Sequence, residues 1–264
     1  MKTKAEHPNV SWPPTGDWWA YRSPFRHWRA SDVLDEASYQ AVSSSFRSFL
    51  DGSADQPKGR RGLRAGTANY DAQMLTIDDS VARLFEPFFS DHWIQSLHEF
   101  VAVPQTRRID AALHSSPEGS RTGWIHTDFC SGWFDESSAG DGRFFADRSG
   151  CDYFTGRPKK TTASPKEYVR AATMIYYLCN DGWSESDGGE TGLYGAEKQR
   201  DRTTTALVPP LNNTLLLFEC SPHSYHRFIA NPGRRRNSII LWLHTTVEDS
   251  ESRWLDAVNR RRWR

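Results

Sequence analysis

From residue 105 onward the chain is a succession of short apolar or alternating runs, at 108–114, 123–129, 172–179, 191–194, 204–208, 214–220 and 236–244, punctuated by glycine, proline and asparagine. Runs this short, bounded by turn formers, read as strands. The preceding third has a different rhythm. Over 25–50, Val33, Leu34, Tyr39, Val42, Phe46 and Leu50 recur at helical spacing, with Ser31 or Asp32 as N-cap. A second helical stretch covers 79–102, with a break near Pro87, and 51–66 is a loop by composition. The expectation is one mainly β domain with flanking helices. It comprises an irregular arm (1–24), a helical buttress (25–104), a sheet-rich core (105–247) and a C-terminal helix or tail (248–264).

Composition excludes several classes. The 33 Lys and Arg balance the 33 Asp and Glu across 264 residues, so no chain-wide grip on nucleic acid or an anionic membrane is indicated. The terminal run from Arg260 to Arg264 reads as a solvated helix end. No apolar run approaches the roughly 20 residues that span a bilayer, and the N-terminal stretch lacks the apolar segment of a signal peptide. Cys130, Cys151, Cys179 and Cys220 are widely spaced with no CxxC pair, which points to a reducing cytoplasm rather than a disulfide scaffold.

Residues 129–168 break the rhythm. This long connection scatters Trp133, Phe134, Phe144, Phe145, Tyr153 and Phe154 among Gly, Ser, Asp and Lys. Long loops in compact domains are often functional, and the expectation here is a lid-like insertion.

That insertion begins just after His126-Thr127-Asp128. In an extended segment the side chains at i and i+2 share a face, so an imidazole and a carboxylate stand side by side. An HxD triplet alone arises often by chance. Joined by one further histidine it becomes a 2-His-1-carboxylate facial triad, which suits Fe(II) and leaves coordination positions open. His226 is the candidate third ligand, with His223 as its rival three residues earlier. Arg236 follows ten residues after His226, at the head of an apolar strand, where a buried cation needs an anionic partner. The far carboxylate of the dicarboxylate 2-oxoglutarate fits a guanidinium fork. Ser238 and Trp242 share the face of Arg236 by alternation. Arg234 and Arg235 are alternatives by slippage.

Taken with TMIYYLCNDGW, GGETGLYG, NTLLLFECSPHSYH and RRRNSIILWL, this set resembles the Fe(II)/2-oxoglutarate-dependent dioxygenases, in their prolyl-4-hydroxylase-like branch, over roughly residues 25–247. The resemblance implies a double-stranded β-helix, or jelly roll, of the cupin kind. It assigns His126, Asp128 and His226 to iron, and favours His226 over His223. It assigns Arg236 to the cosubstrate's far carboxylate, with Tyr177 beside it. In the strand IDAALHSS related enzymes often carry a cosubstrate-binding tyrosine, where this chain offers Leu113 or His114.

The implied activity uses Fe(II), 2-oxoglutarate and O2 and yields succinate and CO2. Related halogenases replace the carboxylate ligand with Gly or Ala, so Asp128 directs the expectation to hydroxylation. The expected substrate is a small molecule, such as an amino acid or specialised metabolite, enclosed by the insertion. The alternatives are a prolyl or protein side-chain hydroxylase and a non-catalytic jelly-roll binding module.

Overall fold

A computed structural model describes residues 2–4, 16–52, 63–65, 70–138, 145–146, 148–195 and 203–254. Its strands are β1 (Lys2–Lys4), β2 (Trp18–Tyr21), β3 (His27–Ala30), β4 (Arg64–Ala65), β5 (Gln73–Thr76), β6 (Ile109–Ser116), β7 (Ser131–Asp135), β8 (Pro165–Tyr177), β9 (Thr191–Tyr194), β10 (Ala206–Val208), β11 (Thr214–Glu219), β12 (Tyr225–Phe228) and β13 (Arg236–Thr245). The helices are α1 (Glu36–Asp51), α2 (Asp79–Ala82), α3 (Asp91–Val101) and α4 (Val247–Arg253). A 3-10 turn over Arg83–Phe88 contains Pro87, where the sequence predicts a break.

All ladders are antiparallel. The major sheet runs β1-β2-β3-β11-β8-β13-β6-β5-β4, with β7 added on β8, and the minor sheet runs β10-β9-β12. Every residue of β6 and β13 is buried. Alternation therefore cannot separate a wet face from a dry one; both faces of the major sheet are covered. On one face Ile239, Leu241, Leu243, Leu113, Ala111 and Met174 pack with Val42 and Phe46 of α1 and Trp93, Ile94 and Leu97 of α3. On the other, Ile240, Trp242, Ala112, Ile175 and Phe218 meet Leu193 and Val208 of the minor sheet. Two facing antiparallel sheets backed by helices form the expected jelly roll.

Four expectations need correction. Residues 1–24 contribute two strands, not only an irregular arm. Helix α1 is capped by Asp35, whose carboxylate accepts from the Ser38 amide at 2.9 Å, rather than by Ser31 or Asp32. Asp32 sits at φ 50, and the Asn213 side chain ties Leu34 down from both its amide and its carbonyl before the helix begins. The segment 123–129 forms no regular strand: it joins β12 through an isolated bridge, His126 to His226, and through the Gly123 amide, which donates to the Phe228 carbonyl at 3.0 Å.

The fourth concerns the insertion. Its ends pair as β7 with β8, from Ser131 opposite Val169 to Asp135 opposite Pro165. Phe134, Tyr153 and Tyr168 then bury one another in a cluster of their own. Among the described residues, β7, Tyr153 and Tyr168 are packed into the body, while Phe154, Thr155 and 157–162 are exposed. Only Phe154, 38% exposed, joins Asp152 and Thr155 along the main cavity. Phe144 and the basic run from Arg260 lie outside the described residues. None of the four cysteines is joined in a disulfide. Among the described residues, no helix is long and apolar enough to cross a membrane.

Candidate metal centre and anion pocket

The His126–His226 bridge sets the site. Each residue's amide donates to the other's carbonyl, at 3.0 and 2.8 Å, which brings the two rings to 4.4 Å between centroids. Each ring is then oriented by its own backbone: Nδ1 of His126 lies 3.0 Å from the Trp124 carbonyl, and Nδ1 of His226 lies 3.2 Å from the Ser224 carbonyl. A carbonyl can only accept, so both Nδ1 atoms carry the proton, and in the neutral ring Nε2 is then the atom that presents a lone pair. Those nitrogens converge on Asp128, at 3.8 Å for His126 and 3.6 Å for His226. Among the described residues, these three side chains form the one group able to hold a metal ion, with ligand atoms within 4.8 Å of one another.

The carboxylate is oriented as firmly. Its Oδ2 accepts from Thr173 Oγ1 at 2.7 Å and from the Trp242 indole N–H at 2.9 Å. Oδ1 takes part in neither bond and lies 3.8 Å from His126 Nε2. Burial alone would raise the Asp128 pKa; His226, Arg170, His126 and the Trp242 bond overcome that and hold it well below the usual carboxylate range. Burial, followed by the neighbouring His226, lowers His126 to about 4. Neutral imidazoles and an ionised carboxylate are the protonation states that a divalent metal requires. His223 is exposed and lies outside the group.

Across the same cavity lies Arg236, 5% exposed at the head of β13. Its Nη1 donates to Ser238 Oγ at 3.1 Å and its Nη2 to Thr191 Oγ1 at 3.3 Å, while its Nε is buried without a partner. The ring of Tyr177 stacks on it at 5.1 Å, and the Tyr177 hydroxyl bonds Thr191 Oγ1 at 2.8 Å. No carboxylate among the described residues pairs with this guanidinium. Arg234 and Arg235 turn elsewhere, to Asp187 and to Ser115 Oγ. The GGE stretch gives Arg236 room: Gly189, at φ +84, would set a Cβ 3.2 Å from the Arg236 Cβ.

The cavity between the triad and Arg236 measures about 710 Å³. Met74, Ile175, Ile240 and Phe228 form apolar walls, and Tyr70 and Trp124 stand at the mouth. His114 also lines it, with both ring nitrogens lacking hydrogen-bond partners; burial first, then Arg236, lowers its pKa to about 3. Leu113 points to the opposite face, into the helix-backed core.

Of the residues singled out for the cosubstrate, Trp242 supports the metal carboxylate, while Tyr177 and Ser238 hold Arg236 from behind the wall. Sequence reasoning missed Thr173, Thr191 and Arg170. Thr173 was within reach, since it shares the face of Tyr177 four residues away. Arg170 was not. The β8–β13 register shifts between Leu243 and His244, so that Ala172 faces Leu243 but Arg170 faces His244. The extra residue, Ala171, turns Arg170 toward the cavity against the alternation.

Residues 157–244 match the profile of the 2OG-Fe(II) oxygenase superfamily. A curated relative, the prolyl 3-hydroxylase OGFOD1 of Xenopus laevis, is 36% identical over 91 residues, which cover 33% of this chain and 17% of that protein. Among solved structures, a Trichoplax adhaerens prolyl hydroxylase in complex with a peptide fragment of the hypoxia inducible factor oxygen degradation domain aligns with TM-score 0.52 and 15% identity. That alignment covers 86% of each chain. The carbocyclase SnoK from nogalamycin biosynthesis, described as non-heme and alpha ketoglutarate dependent, aligns with TM-score 0.51 and 11% identity over 86% of this chain and 85% of that one. At such identities the structures share the fold. The profile match spans His226 and Arg236 and ends on His244, so over that third of its length this protein is similar to the 2OG-Fe(II) oxygenase superfamily, and the jelly roll and the His126, Asp128 and His226 group agree with that likeness.

Proposed function

We propose that this protein hydroxylates an unactivated C–H bond, with 2-oxoglutarate consumed to succinate and CO2. The observation that carries the proposal is Arg236, a buried cation with no carboxylate partner among the described residues, set across one cavity from two lone-pair imidazoles and an oriented carboxylate. Bound Fe(II) supplies the oxygen-activating redox chemistry. Nε2 of His126, Nε2 of His226 and the Asp128 carboxylate would hold the metal at the wall of the cavity that all three residues line. Thr173 and Trp242 keep Oδ2 occupied and the carboxylate fixed. Arg236, with Thr191 beside it, takes the cosubstrate's far carboxylate by charge-assisted hydrogen bonds. Ile175, Ile240 and Met74 exclude water between the two. With Asp128 in place, hydroxylation is favoured over halogenation. A non-catalytic jelly-roll module has no use for a matched cation and triad.

Two substrate classes remain, and the structure bears on both. A cavity of about 710 Å³ leaves room beside the cosubstrate for a small molecule, the class expected from sequence. The insertion that suggested enclosure is anchored in the body through β7 and Tyr153, however. The mouth carries two exposed aromatics, Trp124 at 42% and Phe154 at 38%. An open aromatic mouth suits one side chain of a peptide or protein, and the relative named as a prolyl 3-hydroxylase supports that reading. We favour the peptide. The test is succinate formation with Fe(II) and 2-oxoglutarate against two panels, one of free amino acids and metabolites and one of peptides. Mass spectrometry reads the gain of one oxygen. Turnover confined to the small-molecule panel reverses the preference, and succinate formation with neither panel overturns the activity.

A further inference from the structure

The mechanism above leaves one buried cation unused. Arg170 is 5% exposed, lines the main cavity and lies 4.2 Å over the Trp242 ring. Two edges of its guanidinium are engaged: Nε donates to the Tyr153 hydroxyl at 3.0 Å, and Nη2 donates to Asp110 Oδ2 at 3.4 Å. The third nitrogen, Nη1, lies 3.7 Å from Asp128 Oδ1, too far for a hydrogen bond. Thr173 and Trp242 both bond the other oxygen, Oδ2.

The surrounding charge makes this nitrogen a donor in search of an acceptor. Asp110 is shared, since Arg148 Nη2 holds both its oxygens, at 2.7 and 2.8 Å. Once a divalent cation occupies the triad, Asp128 no longer counters Arg170. Asp110 would then counter both Arg148 and Arg170, leaving a surplus positive charge beside the His126, Asp128 and His226 group. Buried cations without counter-ions are costly, so the loaded site calls for an anion. The placement is deliberate in structural terms. The bulge at Ala171 turns Arg170 inward, and the insertion supplies Tyr153 and Arg148 to brace it.

We propose that Arg170 Nη1 is a second carboxylate-binding donor of this pocket, at the metal end, opposite Arg236. The inference rests on the oxygenase reading. The carboxylate has two sources: the keto-acid end of 2-oxoglutarate, or an acid group of the primary substrate.

The test is anaerobic titration of wild type, Arg170→Gln and Arg170→Lys. The lysine variant keeps a countercharge for Asp110 should the glutamine variant fail to fold. Fe(II) affinity is measured first, then 2-oxoglutarate affinity by the visible charge-transfer band of the Fe(II) complex. Acetate is then titrated onto the Fe(II)–2-oxoglutarate protein and followed by tryptophan fluorescence, which Trp242 reports. A loss of 2-oxoglutarate affinity of at least tenfold in Arg170→Gln, smaller in Arg170→Lys, with Fe(II) affinity unchanged, assigns the donor to the cosubstrate. Unchanged 2-oxoglutarate binding with saturable acetate binding lost in both variants assigns it to the substrate. If both are unchanged, or if only Fe(II) affinity falls, Arg170 merely braces Asp128 and the proposal is overturned. A wild type that binds neither Fe(II) nor 2-oxoglutarate overturns the oxygenase reading and this inference with it.

Discussion

Asp128 shows how single donors set the chemistry. With Thr173 and Trp242 both on Oδ2, the carboxylate can present one oxygen and no more. Trp242→Phe keeps the ring and removes the N–H, so Fe(II) affinity should fall about 10- to 100-fold while the fold persists. Metal titration monitored beside circular dichroism separates the two effects. Arg236 belongs to the other end of the pocket. Arg236→Ala removes one partner of a charged contact worth about 3–5 kcal/mol, and the KM for 2-oxoglutarate should rise more than a hundredfold. Lysine should rescue in part, since it keeps the charge and loses the fork. An unchanged cosubstrate KM in Arg236→Ala would remove the anion-binding role. At this scale the chemistry-bearing types and their spacing were legible: HxD, a later His, an Arg ten residues on. Thr191 was not, because it reaches Arg236 from the minor sheet and local spacing does not reveal which strands of two sheets face each other.

At the scale of elements, the insertion 129–168 is where sequence and structure part. Composition suggested a mobile cover, because Gly, Ser and Asp dilute its aromatics. Its ends instead extend β8 by hairpin pairing, and its Tyr153 reaches the buried charge network. The Tyr153 hydroxyl donates to His244 Nε2 at 2.7 Å, since His244 Nδ1 is committed to the Arg108 carbonyl, and it accepts from Arg170 Nε. Tyr153→Phe should therefore cost about 1–3 kcal/mol, the penalty for leaving buried polar atoms unpaired. Urea denaturation measures it; a change within error would return the insertion to the surface. The strands β6, β11 and β13 and the apolar half of β8 from Ala172 were legible because each is apolar and bounded by turn residues, whereas the charged start of β8, Pro165–Arg170, was not. The HxD segment was misread as a strand because one bridging residue and flanking loop give the same i, i+2 geometry as a ladder.

For the whole molecule, the two-layer arrangement buries histidines away from the metal triad as well. Burial, as the leading cause, lowers His27 and His98 to about 4, and His114 and His244 to about 3. Each folded-state value lies below the ordinary 6.5, so the unfolded chain takes up protons first as the pH falls. Stability is full above about pH 6.5 and is lost toward pH 4, at about 1.4 kcal/mol per pH unit for each group. Metal-free protein should show a denaturation midpoint that drops steeply between pH 6.5 and 4. A flat midpoint over that range would mean that these imidazoles are not buried as neutral groups. The central claim is that His126, Asp128 and His226, with Arg236 opposite, form one Fe(II) and 2-oxoglutarate site. Anaerobic titration of 2-oxoglutarate into the Fe(II)-loaded protein tests it most directly. The wild type should develop a saturable visible charge-transfer band, His226→Ala should not, and His223→Ala should match the wild type. A band that survives in His226→Ala and disappears in His223→Ala would contradict the account.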